Sequence, residues 1–133
     1  MKGILGRLAK LFRREPLRPP PIVRTSEDGL EVIRCGETLA SVRWRDVRKI
    51  ITYKYDLFST DEICVGFFTD EDADTWLEIS EEWKGFLEAV EMMERWFPSI
   101  PRNWFNEVMV PAFERKETVL YESGHEVPGT PAG

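Results

Sequence analysis

From Ile22 to Ile79 the chain is written in short runs whose apolar side chains recur at alternate positions, with connections of only a few residues between them. Alternation puts one set of side chains on each face of an extended strand, so this stretch predicts strands rather than helices. Connections this short cannot hold a crossover helix, and neighbouring strands must therefore run antiparallel. The runs begin with "IVR", then "LEVIRC" after the Asp28-Gly29 turn signal, then "TLASVRW" after Gly36. In the third run Leu39, Ser41 and Arg43 alternate with Ala40, Val42 and Trp44. "VRKIITYKYDLF" is the longest, with Ile51, Tyr53 and Tyr55 on one face and Ile50, Thr52 and Lys54 on the other. "EICVGFF" and "TWLEI" complete the meander.

At Ser80 the period changes. At about 100° per residue, Trp83, Phe86, Leu87, Val90, Met93 and Phe97 fall on one broad stripe, with Glu88, Glu91 and Arg95 away from it. Glu94 interrupts the stripe. This predicts an amphipathic helix of about fourteen residues that ends before Pro98, with Phe86, Leu87, Val90 and Phe97 closing one end of the strand layer. "PRNWFNEVM" reads as a short second helix before Pro111, and "ETVLYE" as a last strand or extended segment.

Small antiparallel strands followed by one such helix, together with "DGLEVI" and with "SVRWRDVRKI", whose tryptophan precedes an Arg-Asp turn, resemble the pleckstrin-homology-like barrel in its compact bacterial and GRAM-type versions. The resemblance covers residues 22–97 and leaves 98–122 outside the usual pattern. It implies an α+β fold, a small antiparallel β-barrel or strongly bent sheet closed by one amphipathic helix, serving as a scaffold that binds lipids, peptides or proteins without catalysis. Fold analogy does not choose the ligand. Phosphoinositide-binding members of that superfamily carry lysines and arginines after the first strand, whereas "SEDG" here is acidic, so that role is not carried over. The basic cluster of the body is Arg43, Arg45, Arg48 and Lys49, broken by Asp46, with Arg43 and Arg45 on the side opposite Trp44. Arg43, Arg45 and Trp76 are the candidate partner-binding residues, Trp76 because Leu77 and Ile79 claim the inner face of its strand. The other reading of the arginines is a solvated face balanced by neighbouring acids. The five tryptophans are likewise either a recognition surface or the bulky filling of a small core.

A chain of 133 residues with sixteen aromatics supports one core. The expected organisation is a basic segment and proline-rich linker over 1–21, a single globular domain over 22–122 and a flexible tail over 123–133. The formal charge of −6 is unevenly placed: residues 1–24 hold seven Lys/Arg and one Glu, the rest eleven against twenty-three acids, which is +6 ahead of −12. So acidic a body disfavours nucleic acid. Cys35 and Cys64 lack metal-ligand or disulfide-framework spacing and read as two buried thiols of a reducing compartment. With no long apolar run and no secretory signal pattern, the expected location is cytoplasmic, peripheral at the inner face of the membrane.

Catalytic patterns are missing. The single histidine, His125, sits in the tail, which leaves a Ser-His-Asp or Cys-His arrangement without a base. The scattered glycines form no phosphate-cradling loop, and the acidic residues fall mostly in turns and on helix faces. The expectation is a protein that is not an enzyme and uses neither cofactor nor metal. One alternative is calcium binding. From Asp70, carboxylates fall at the first, third, fifth, ninth and twelfth positions, ending at Glu81, as in an EF-hand loop. Thr75, however, stands where that loop requires glycine, and "EICVGFF" before it has strand character.

The opening segment, "MKGILGRLAKLFRR", carries the clearest physical purpose. On a helical wheel Ile4, Leu5, Leu8, Leu11 and Phe12 occupy an arc of about 120°, with Lys2, Arg7, Lys10, Arg13 and Arg14 opposite. These ten are the candidate membrane-binding residues of a basic amphipathic helix, too short to span a bilayer. Docking on the chain's own acidic body, an unstructured state and a targeting presequence are the other readings. The expected partners are a protein or an anionic membrane surface, with no nucleic acid and no identified small-molecule substrate.

Overall fold

The computed structural model describes residues 19–57, 60–69, 76–109 and 117–123. They form β1 (Ile22–Thr25), β2 (Gly29–Arg34), β3 (Glu37–Arg43), a 3₁₀ turn (Trp44–Asp46), β4 (Lys49–Leu57), β5 (Thr60–Phe68), β6 (Trp76–Ser80), α1 (Phe86–Trp96), α2 (Trp104–Met109) and β7 (Thr118–Glu122). The alternating stretch thus makes the expected strands, and the later period change makes a helix.

The fold is α+β with two antiparallel sheets, ordered β1-β2-β3 and β6-β5-β4-β7. The expected barrel or single bent sheet does not form among the described residues, for two reasons. Beyond β3 the chain is pinned, because Trp44 donates its backbone N–H to the Asp28 carbonyl at 2.9 Å and its indole N–H to the Ser26 carbonyl at 3.1 Å. The strand that follows therefore starts a new sheet. Its free edge is then taken by β7, supplied by the region beyond residue 98, with Ile50 opposite Tyr121 and Ile51 opposite Val119.

Side-chain chemistry sets the hairpins. At the first turn, Ser26 Oγ accepts the N–H groups of Asp28 and Gly29 at 3.2 and 3.3 Å. At the second, Cys35 and Gly36 both have positive φ, 54° and 80°, as a type I′ turn requires. Cys35 is consequently exposed at a hairpin tip, which corrects the expectation of two buried thiols; Cys64, inside β5, is buried.

One core cluster draws Val23, Leu30, Val32 and Val42 from the first sheet and Ile50, Val65, Phe67 and Ile79 from the second. Trp44 stands edge-on to Phe67 at 5.7 Å and to Phe97 at 6.4 Å, joining both sheets to the end of α1. The helix begins at Phe86, later than the stripe suggested. Gly85, at φ 95°, sets that start: a Cβ there would fall 1.9 Å from the Val23 carbonyl oxygen, so only glycine lets the helix meet β1. Phe86, Ala89 and Met93 are buried. Leu87 is 72% exposed, a correction to its assigned core role, because it lies one 100° step off that face. Among the described residues, no helix is long and apolar enough to cross a membrane.

Candidate functional site

The second sheet is built unusually on the side away from the core. Register sets Cys64 opposite Tyr53 and Ser80, Gly66 opposite Ile51 and Glu78, and Phe68 opposite Lys49 and Trp76. Residues opposite one another in a ladder share a face. This outer face is distinct from the one that gives Ile63, Val65, Phe67, Leu77 and Ile79 to the core cluster, and Ile51, Cys64 and Phe68 lie outside that cluster. They are buried nonetheless: Ile51 is 5% exposed and Phe68 9%.

Trp76 organises the face. Its indole stacks on Phe68 with centroids 5.2 Å apart and planes 5° from parallel, and it meets Tyr53 edge-on at 6.1 Å. The Lys49 ammonium lies 5.8 Å from the Phe68 ring centroid. At the other end of the face, the Ser80 hydroxyl donates to the buried Glu62 carboxylate, and the Glu82 backbone N–H donates to Ser80 Oγ at 3.0 Å. Glu81 accepts the Ile63 N–H at 2.9 Å. Desolvation pushes the Glu81 carboxyl above its ordinary range; the Ile63 hydrogen bond opposes this, and the charges of Glu82 and Glu62 add to it.

A second feature lies where α1 ends. Trp96 donates its indole N–H to the Glu27 carbonyl at 3.0 Å, tying the helix to the first hairpin turn. Glu27, Asp28, Met92, Arg95, Trp96 and Pro98 line an open cleft of about 540 Å³. Glu27 and Asp28 outnumber Arg95 there, so the cleft is weakly acidic around a partly exposed indole, beside the negative end of the helix dipole.

Of the predicted site residues, Arg43 and Arg45 are exposed and Trp76 is half-buried on the outer face. Leu77 and Ile79 do point inward, as expected, at 3% and 0% exposure. The basic residue brought to the aromatic pair is Lys49. Trp96, at 39%, is the most exposed of the five tryptophans. Its cleft escaped sequence reading because it forms only when the "SEDG" turn meets the helix end; the available signals were that acidic turn and a tryptophan just ahead of Pro98.

Lys2, Ile4, Leu5, Arg7, Leu8, Lys10, Leu11, Phe12, Arg13 and Arg14 lie outside the described residues, as do Asp70, Asp72, Asp74 and His125. Of the calcium-loop positions that are described, Trp76 to Ser80 are paired with β5 and Glu81 is engaged by Ile63. Among the described residues, no three His, Cys, Asp or Glu side chains group as a metal site. Comparison of the chain with family models, with curated proteins and with solved structures finds no match.

Proposed function

We propose that this is a non-catalytic interaction domain of the pleckstrin-homology-like kind, acting at the cytoplasmic face of an anionic membrane and reaching it through residues 1–14. The observation that carries the reading is the segregation of charge, +6 over residues 1–24 against −12 over the rest, with the positive part arranged opposite an apolar arc. Each basic residue near an anionic surface contributes about 1 kcal/mol, and the arc adds burial, offset by the cost of ordering a helix that contains Gly3 and Gly6. Binding should be reversible and salt-sensitive. Two small antiparallel sheets capped by an amphipathic helix support the scaffold role, and the cleft at Trp96 offers a partner protein a seat beside the membrane. Against the calcium alternative stands the pairing of Trp76 to Ser80 with β5, which spends five of the twelve positions of the proposed loop on a strand.

Co-sedimentation with vesicles tests the reading on the full chain. The protein should pellet with anionic vesicles but not neutral ones, less so at high salt, and the variant Lys2→Glu/Lys10→Glu/Arg13→Glu should stay in the supernatant. Equal pelleting of the two proteins, or none by either, overturns it.

A further inference from the structure

The outer face of the second sheet is buried without any described element lying on it. Among the described residues, α1 packs against β1, and α2 meets β4 from the core side, where the Lys54 ammonium donates to the Met109 carbonyl at 3.2 Å. Trp76 shields part of the face, yet Ile51 is almost wholly buried and Cys64 completely so, while Val119 beside Ile51 at the β7 margin is 51% exposed. Glu62 and Glu78 are also buried on this face. A surface that buries carboxylates favours a cationic cover over a neutral one.

We infer that the outer face of the β6-β5-β4 layer is the seat of the chain's own residues 1–18, which lie on it when no membrane is present and leave it to bind one. The docking stands by itself; the release step rests on the membrane reading. Three observations favour this occupant. The first is reach. The Val23 N–H donates to the Lys84 carbonyl at 2.8 Å and Ile22 bridges Lys84, so the chain enters β1 close to Ser80, whose side chain lies on the outer face of edge strand β6. As a helix, residues 1–14 would be about 21 Å long, against about 14 Å across a four-stranded sheet. The second is charge. Lys2 and Arg7 border the apolar arc, so that the arc can face Ile51, Phe68 and Trp76 while its cationic margins reach the glutamates of the face. The third is composition. Residues 70–75 carry four acids and would repel Glu62 and Glu78, and 124–133 hold almost no large apolar side chain.

The two cysteines supply the test. Cys35 is exposed at a hairpin tip and serves as an internal reference, whereas Cys64 is buried at the centre of the covered face. In lipid-free full-length protein a maleimide should label Cys35 readily and Cys64 at least about tenfold more slowly, since a covered thiol reacts only when its cover opens. Placing acids on the arc, as Ile4→Glu/Leu8→Glu/Leu11→Glu in the full chain, should bring the Cys64 rate close to that of Cys35 with circular dichroism unchanged. Unchanged protection in that variant, which would mean that residues 110–116 or a second copy form the cover, overturns the inference. Anionic vesicles should then raise Cys64 labelling. If the arc variant exposes Cys64 but vesicles neither bind the protein nor change labelling, the docking stands and the membrane reading falls.

Discussion

Trp76 fills the space that a side chain at Gly66 would need. A Cβ built on Gly66 would lie 2.6 Å from Trp76 Cε3 and 2.7 Å from Cζ3, with Ile51 Cγ1 at 3.4 Å on its other side. The two residues sit on neighbouring strands, and the indole is held in place by its stack on Phe68. Gly66→Ala should therefore destabilise the protein by about 1–3 kcal/mol through overpacking and shift the tryptophan emission. Chemical denaturation followed by fluorescence measures both, and an unfolding midpoint equal to that of the native protein would show that the indole moves aside at no cost.

Glu94, which interrupts the apolar stripe of α1, has a structural reason to be there. Its Oε2 accepts the indole N–H of Trp104 at 3.0 Å, and Trp104 is among the most deeply buried side chains. Removing the acceptor leaves a buried donor unsatisfied, so Glu94→Ala should cost about 1–3 kcal/mol. Glu94→Gln, whose amide oxygen can still accept, should retain most of the stability. Equal losses from the two substitutions would show that helix packing, not the hydrogen bond, sets the effect.

Phe86 and Leu87 are neighbours in sequence with opposite fates. Phe86→Ala should cost about 3–5 kcal/mol as transfer and cavity effects add, whereas Leu87→Ala should stay within about 0.5 kcal/mol. Thermal unfolding of the two variants separates them; a large loss from Leu87→Ala would mean that the helix is rotated from the orientation described.

These residues also mark how far the sequence could be read. Alternation located β1 to β6 because each strand is a local pattern, and the turn signals Asp28-Gly29 and Gly36 fell where hairpins form. Division into two sheets was not local: it depends on Trp44 reaching back to Ser26 and on β7 arriving at β4 from far along the chain. The stripe gave the helix but not its rotation, since Leu87 and Val90 are equally apolar while only contact with β1 decides which turns inward. The outer face of β4 was ambiguous for a related reason. Ile51 and Tyr53 alternate with Ile50 and Thr52, and when both sets are apolar in part, alternation cannot say which face is covered. The cleft at Trp96 was invisible because Trp96 and Glu27, which meet there, stand 69 residues apart in the chain.

Glu81 gives the fold a predictable response to pH. Its carboxyl is raised above the ordinary glutamate range chiefly by desolvation, with Glu82 and Glu62 adding repulsion and the Ile63 N–H working the other way. A carboxyl with a raised folded-state pKa contributes its stability at pH values below the range of the unfolded residue, and that contribution is lost as pH rises through the folded-state value. The ionised form is thus the strained one. Glu81→Gln removes the charge but keeps an oxygen able to accept from Ile63, so the variant should match the native protein in acid and exceed it in stability at neutral pH. Denaturant unfolding of both proteins at acidic and neutral pH reads the difference directly. Should the native protein be the more stable at neutral pH, the charge-assisted bond to Ile63 outweighs desolvation and repulsion together, and the stated order of causes is wrong.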